Sequence, residues 1–321
     1  MKTRYMRLAF SIPMVFCLTV TAVFAQEEKN ILVNMKTIPM KDVETLTINS
    51  CAGLLILLES KNNSVVMKEY QDESGKNTSQ GNPSVTSVIN SEVDADTGYE
   101  FTIETVTRVS PFPIGGYTEV YIPASFRGAI SIIAEGGIVR SEVNLYSNRQ
   151  VDISITDGDL ELKQVFARQI KIAVSSGSFQ AEKLSGTEIS LHHTSGLIDI
   201  GEVRGRLSVE ALSGPITVRE LTGGGSIVTQ AGTINVGLRN AMDDFSCALT
   251  TGSITITTPS DLFYNLDAEA KSGAITVTPP RGTPIKAYGS VQWVFGSEAD
   301  VTISTRVSTG SITVGPRIDI E

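Results

Sequence analysis

Three stretches of this chain share one pattern: Ser195-Gly196-Leu197-Ile198-Asp199-Ile200, Ser213-Gly214-Pro215-Ile216-Thr217-Val218 and Thr251-Gly252-Ser253-Ile254-Thr255-Ile256. A small polar residue and a glycine precede apolar residues that alternate at period two. Alternation of that period, rich in β-branched side chains, marks a strand with one buried face. Working outward, the dipeptide recurs from Gly158 through Gly177, Gly196, Gly214, Gly232, Gly252 and Gly273 to Gly310. The steps are 19, 19, 18, 18, 20, 21 and 37 residues, the last about two periods.

The flanks repeat as well. Two and four residues after each glycine the chain is apolar, from Leu160 and Leu162 to Ile312 and Val314. Seven, five and three residues before it a second strand alternates, as in Val151, Ile153 and Ile155 or Leu266, Ala268 and Ala270. A further apolar residue follows about seven places on, among them Val165, Leu184, Val203, Leu221 and Leu238, and reads as a corner anchor. A sharp corner between strands needs positive φ, which glycine adopts without steric cost. One such unit buries side chains on one side only, so it is stable only when stacked on copies of itself at a strand spacing of about 4.8 Å. The expectation is an all-β, single-stranded parallel β-helix, a β-solenoid of about nine coils with 18–21 residues each. Sandwich strands recur every 8 to 12 residues or so without a shared motif, and propeller blades need about 40 residues, so neither fits.

Both ends are less regular. Residues 26–135 read as an irregular β region holding a cap and the first coils, and residues 136–321 as the regular solenoid with an inserted loop at 279–300. Gly53 and Gly137 carry degenerate coil patterns, and Val65–Tyr70, Tyr99–Thr105 and Thr118–Ile122 read as strands around a polar stretch from Gln71 to Gly98. Asp72–Ser84, rich in Ser, Asn and Gly, reads as a loop. In the second interruption Arg281 and Trp293 are candidate ligand contacts, although Trp293, the single tryptophan, reads better as a plug on the solenoid.

Lys2, Arg4 and Arg7, the apolar run Leu8–Val23, and Val23-Phe24-Ala25 have the order of a secretory signal cut after Ala25. Residues 1–25 are therefore read as a signal peptide, the mature chain as exported to the periplasm, cell surface or medium, and no later run is long and apolar enough to span a membrane as a helix. Cys17 lies within the apolar run rather than after a lipoprotein cleavage site. Cleavage removes three cations and no acid, so the net charge moves from −9 to −12. That surface repels nucleic acid. Cys51 and Cys247 remain, separated by roughly 25–30 Å along the coil axis at this strand spacing, so no bridge between them is expected.

No catalytic, cofactor or metal residue is assigned. His192 and His193 are adjacent and point to opposite faces of a strand, so one metal does not take both. On the outward row three residues after each glycine, Glu161 and Asp199 are acidic and two coils apart, with no arginine expected beside them. Gly223-Gly224-Gly225 lacks the Lys-Ser/Thr of a phosphate loop and reads as a coil corner.

With Val120-Tyr121-Ile122-Pro123, Ile130-Ser131-Ile132 and the tandem Ser-Gly-x-Ile-x-Val units in view, residues 40–321 resemble the bacterial putative-adhesin family of exported β-solenoid domains of unknown function. The resemblance implies a right-handed single-stranded β-helix at the cell envelope. Its motif is structural and carries no catalytic residue. The leading expectation is a non-enzymatic binding or scaffold module whose outward row, Asp199, Thr217, Asn235, Thr255 and Thr276 with Thr313, beside Ser190, Ser208, Ser226 and Ser246, meets a glycan or an envelope or host protein. The alternatives are an end-to-end envelope filament, resembling bactofilins only in coil length, and a carbohydrate-active β-helix enzyme. The oligomeric state is left open.

Overall fold

The computed structural model describes residues 30–40, 43–50, 53–72, 85–94, 98–107, 116–280, 282–296 and 299–317. Among them there is no helix, so none that crosses a membrane. The proposed leader, Cys51, Arg281 and most of the 72–84 loop lie outside the described residues.

The regular winding runs through β8 (Ala129–Ser141), β9 (Leu145–Tyr146), β10 (Gln150–Phe166), β11 (Gln169–Ser176), β12 (Phe179–Ser195) and β13 (Ile198–Thr258). The pairing is parallel and in register with the glycine steps: Ile130 opposes Val151, Val151 opposes Ile170, Ile170 opposes Ile189, and Ile189 opposes Leu207. β13 winds on through several coils as one 61-residue strand. The expected parallel β-solenoid is what the chain forms.

Its interior is a set of one-residue-wide columns. Ile198, Ile216, Ile234, Ile254, Ile312 and Ile275 make one of them and are all buried. At about 1.5–3 kcal/mol per buried aliphatic side chain, such columns offset the ordering of many short strands. The anchors Val165, Leu184, Val203, Leu221 and Leu238 are buried too. Corner geometry is enforced by close backbone stacking. At Gly214, φ is +124°, and a Cβ would lie 1.9 Å from the Gly196 carbonyl oxygen. A second glycine column, Gly186, Gly205 and Gly223, lines another corner. The Gly223–Gly225 run is thus a corner of the coil, with positive φ at Gly223 and Gly225.

The ends depart from sequential stacking. β2 (Val43–Ser50) and β3 (Leu54–Ser60) form a coil that lies directly against β8, Leu46 opposing Ile130 and Leu55 opposing Val139. On their other side they pair with β6 (Gly98–Thr107) and β7 (Gly116–Pro123), Leu46 opposing Phe101 and Leu57 opposing Val120. β5 (Val85–Asp94) closes β6 in antiparallel sense, β4 (Ser64–Asp72) closes β7, and β1 (Asn30–Pro39) closes β4. The other end repeats the device. β16 (Thr302–Pro316) enters between β13 and β14 (Tyr264–Val277), so that Ile312 opposes both Ile254 and Ile275, and β15 (Ile285–Phe295) closes β14 antiparallel.

Three expectations are corrected here. The polar stretch Gln71–Gly98 contains strand β5. Half of the 279–300 insertion is strand β15 rather than loop. The 37-residue glycine step is not two successive rungs: the Gly310 coil lies between those of Gly252 and Gly273. Trp293 opposes Leu266 at the end of a core column and stacks at 6.0 Å on Phe295, which stacks at 4.6 Å on Tyr264. It is the plug, because its place on β15 turns it toward the ladder end.

Candidate ligand-binding face

The strand that follows each glycine corner sends its second and fourth residues inward, so the third stands outward on every rung. Cross-strand register joins these third positions into a row: Arg140, Glu161, Gln180 and Asp199, then Thr217 and Asn235 within β13, then Thr255, Thr313, Thr276 and Lys286. All five expected face residues, Asp199, Thr217, Asn235, Thr255 and Thr276, lie on it. Thr313 stands between Thr255 and Thr276 rather than beyond them, since β16 is slotted between their coils.

The row has two halves of different chemistry. In the first, Glu161 receives the Arg140 guanidinium at 2.6 Å, and Asp199 receives that of Arg219. Beside them Glu202 accepts from Lys183 at 2.8 Å and from Arg204, and these hydrogen bonds hold its carboxyl below the usual range, Lys183's first. The side chains of Arg140, Glu161, Lys163, Gln180, Glu182, Asp199 and Arg219 border a shallow groove of about 370 Å³. The expectation that no arginine joins Glu161 and Asp199 is therefore overturned. Arg140 sits at the same offset from the irregular Gly137 coil, and Arg219 reaches back one rung from the fifth position after Gly214. Both acids are held in ion pairs rather than aimed at each other across a gap.

In the second half, Thr217, Asn235, Thr255, Thr313 and Thr276 form a hydroxyl and amide ladder, one rung apart at about 4.8 Å. A second ladder runs along the strand before the corner: Ser190, Ser208, Ser226, Ser246 and Ser304, ending at Lys171 on one side and Asp267 on the other. The glycine corner lies between the two ladders, so they occupy adjoining sides rather than one surface. Sequence reasoning missed Ser304. The signal was present, for Ser304 precedes Gly310 by the same six residues as Ser246 precedes Gly252. At the corner, Asp159 ties two rungs together, its Oδ1 accepting the Ser178 hydroxyl and backbone N–H, each at 2.7 Å, and these bonds lower its pKa.

The histidines separate as their alternation requires. His192 faces outward, its Nδ1 3.3 Å from a Glu210 carboxylate oxygen. His193 is 4% exposed and its Nε2 lies 3.1 Å from the Gly177 carbonyl, while burial pushes its pKa down. Among the described residues no group of three His, Cys, Asp or Glu side chains converges as a metal would require. Cys247 is a buried free thiol in a core column, its pKa pushed far up by burial. Arg281 lies outside the described residues, and Trp293 belongs to the end plug rather than to either ladder.

The family described as Toastrack DUF4097 matches residues 55–315, most of the chain. No curated protein matches it. Among solved structures, a "putative adhesin" from Parabacteroides distasonis ATCC 8503 is similar at 10% identity and TM-score 0.35, over 90% of this chain and 98% of that one. Another "putative adhesin", from Bacteroides fragilis NCTC 9343, is similar at 10% identity and TM-score 0.34, over 89% and 98%. A "putative cell adhesion protein" from Clostridium sporogenes ATCC 15579 is similar at 13% identity and TM-score 0.24, over 90% and 100%. The matched span includes every regular coil and both outward ladders, and by it the chain belongs to the Toastrack DUF4097 family.

Proposed function

We propose that the chain is an exported, adhesin-like binding module of the cell envelope that holds a hydroxyl-rich polymer, a glycan, along its outward ladders. The observation that carries this reading is the row Thr217, Asn235, Thr255, Thr313 and Thr276, which repeats a donor and acceptor at every rung on a flat parallel sheet. A polymer with a regular repeat meets such a row many times over, so weak single contacts sum along its length. The ion-paired half of the row supports binding rather than proton transfer, because its carboxylates already hold guanidinium partners. An open filament is less well supported. The long parallel ladders end under antiparallel strands, β15 at one end and β4 and β5 at the other, and the one parallel strand with a single neighbour among the described residues, β9, is two residues long.

The test is a glycan array and an envelope pull-down with the exported chain beside a triple variant, Thr255→Val, Thr313→Val and Thr276→Val. Valine keeps the β-branched shape and removes only the hydroxyl. Capture of a polysaccharide that drops about tenfold or more in the variant, at unchanged melting temperature, is expected from the loss of several hydrogen bonds of about 1 kcal/mol each. Equal capture by both proteins, or none by either, removes the proposal.

A further inference from the structure

We infer that β15 is a self-association edge, and that two copies of this chain pair end to end through antiparallel β15 strands about a two-fold axis. β15 is bonded to β14 on one side only, and no strand pairs with its other edge among the described residues. An unpaired edge is a template for another strand, and soluble proteins usually blunt it with charge, proline or a bulge. The two outer strands at the opposite end follow that practice: β1 carries Lys36, ends at Pro39 and has a register shift between Leu32 and Asn34, and β5 carries Glu92 and Asp94. β15, like β1, has one charge, Lys286, but it contains no proline, and its one register shift falls at its bend, leaving the two arms regular. It also gathers exposed apolar side chains, Tyr288 at 77%, Val294 at 60% and Ile285 at 39%.

The shape of the strand selects its partner. β15 follows the coil around its corner, with a register break against β14 between Ala270 and Ile275 and positive φ at Gly289. A bent strand pairs antiparallel with an identical one when the axis passes through the bend, because that rotation exchanges the two arms. Centred on Gly289, this places Val291 opposite the second copy's Ala287 and Trp293 opposite its Ile285. These four residues share the parity that faces the core, since they oppose Ala268, Ile275, Leu266 and Val277 of β14. The half-buried Val291 and Trp293 would then have a neighbour on their open side. Outward, Lys286 meets Gln292, and the two Lys286 side chains stand about 20 Å apart along the strand, beyond the screening length, so no like charges meet. A two-fold contact of this kind closes on itself and yields a dimer rather than a fibre.

Size-exclusion chromatography with light scattering, across a concentration series of the exported chain, tests the pairing. Twice the chain mass is expected, with dissociation on dilution. Gln292→Lys puts lysines face to face twice at the interface and should weaken the dimer by about tenfold. The double variant Gln292→Lys with Lys286→Glu restores opposite charges and should restore the dimer, an outcome that a misfolded variant does not produce. A wild type that stays monomeric throughout, a dimer indifferent to Gln292→Lys, or absence of rescue overturns the inference. This readout needs no ligand, so it stands or falls apart from the binding reading.

Discussion

At the residue scale, the glycine corner shows how local conformation and stacking act together. Gly214 is held both by its positive φ and by the Gly196 carbonyl, against which a methyl group would press. Gly214→Ala should therefore cost more in denaturant unfolding than the roughly 1–3 kcal/mol of backbone strain alone, because the clash with the Gly196 carbonyl adds to it. Gly289 has φ +86° and open space where its Cβ would be, so Gly289→Ala in the monomer should cost only about 1–2 kcal/mol. Equal losses at the two sites would show that stacking adds nothing to the corner. His193 supplies a pH dependence. Burial lowers its folded-state pKa, so the unfolded chain binds the proton more readily. Stability is full above the unfolded value of about 6.5 and falls as the pH drops from there toward the folded value. Melting temperatures between pH 7.5 and pH 5 should show that fall, and His193→Leu should flatten it. The lowered carboxyls Asp159 and Glu202 act only at more acidic pH, near and below the ordinary carboxylate range.

At the scale of elements, each end of the solenoid has its terminal coil one rung in from the edge. β16 carries a ladder on both sides, to β13 and to β14. In an ordinary repeat array, deleting the last unit removes one interface. Here a chain stopped after Asp300 would lose two, leaving β14 and β15 joined to the rest by the 259–263 connection alone. Such a truncation should expose 264–296 to proteolysis and rapid amide exchange while the coils before Thr258 stay protected; protection retained over β14 would contradict the slotted arrangement. The periodicity of Thr302–Pro316 was legible in the sequence, as were the outward Thr313 and the equivalent offset of Ser304. The slot was not. Offsets from a glycine place a residue on a face, but they are silent on which coil lies above which. For the same reason β15 read as a loop: its alternation continues no glycine motif, and its partner is antiparallel.

At the scale of the whole molecule, an acidic rod with charged and hydroxyl stretches along one side presents repeated weak contacts over many rungs, and a two-fold pair would double them, raising avidity without a new contact. What the sequence by itself determined is the coil: the period, the inward columns, the glycine corners and the row holding Thr217, Asn235 and Thr255. These follow from short-range chemistry, β-branched alternation and positive φ, which each residue carries wherever its coil is placed. Only the tertiary structure decided the order of rungs at the two ends, the arginine partners of Glu161 and Asp199, the place of Ser304 between Ser246 and Asp267, and the bare edge of β15. Those depend on which segments meet after long excursions of the chain, and any coil of the right period and apolar faces satisfies the same columns. Stacking order is set by loop reach and by the need to finish each open ladder, quantities that no local pattern records.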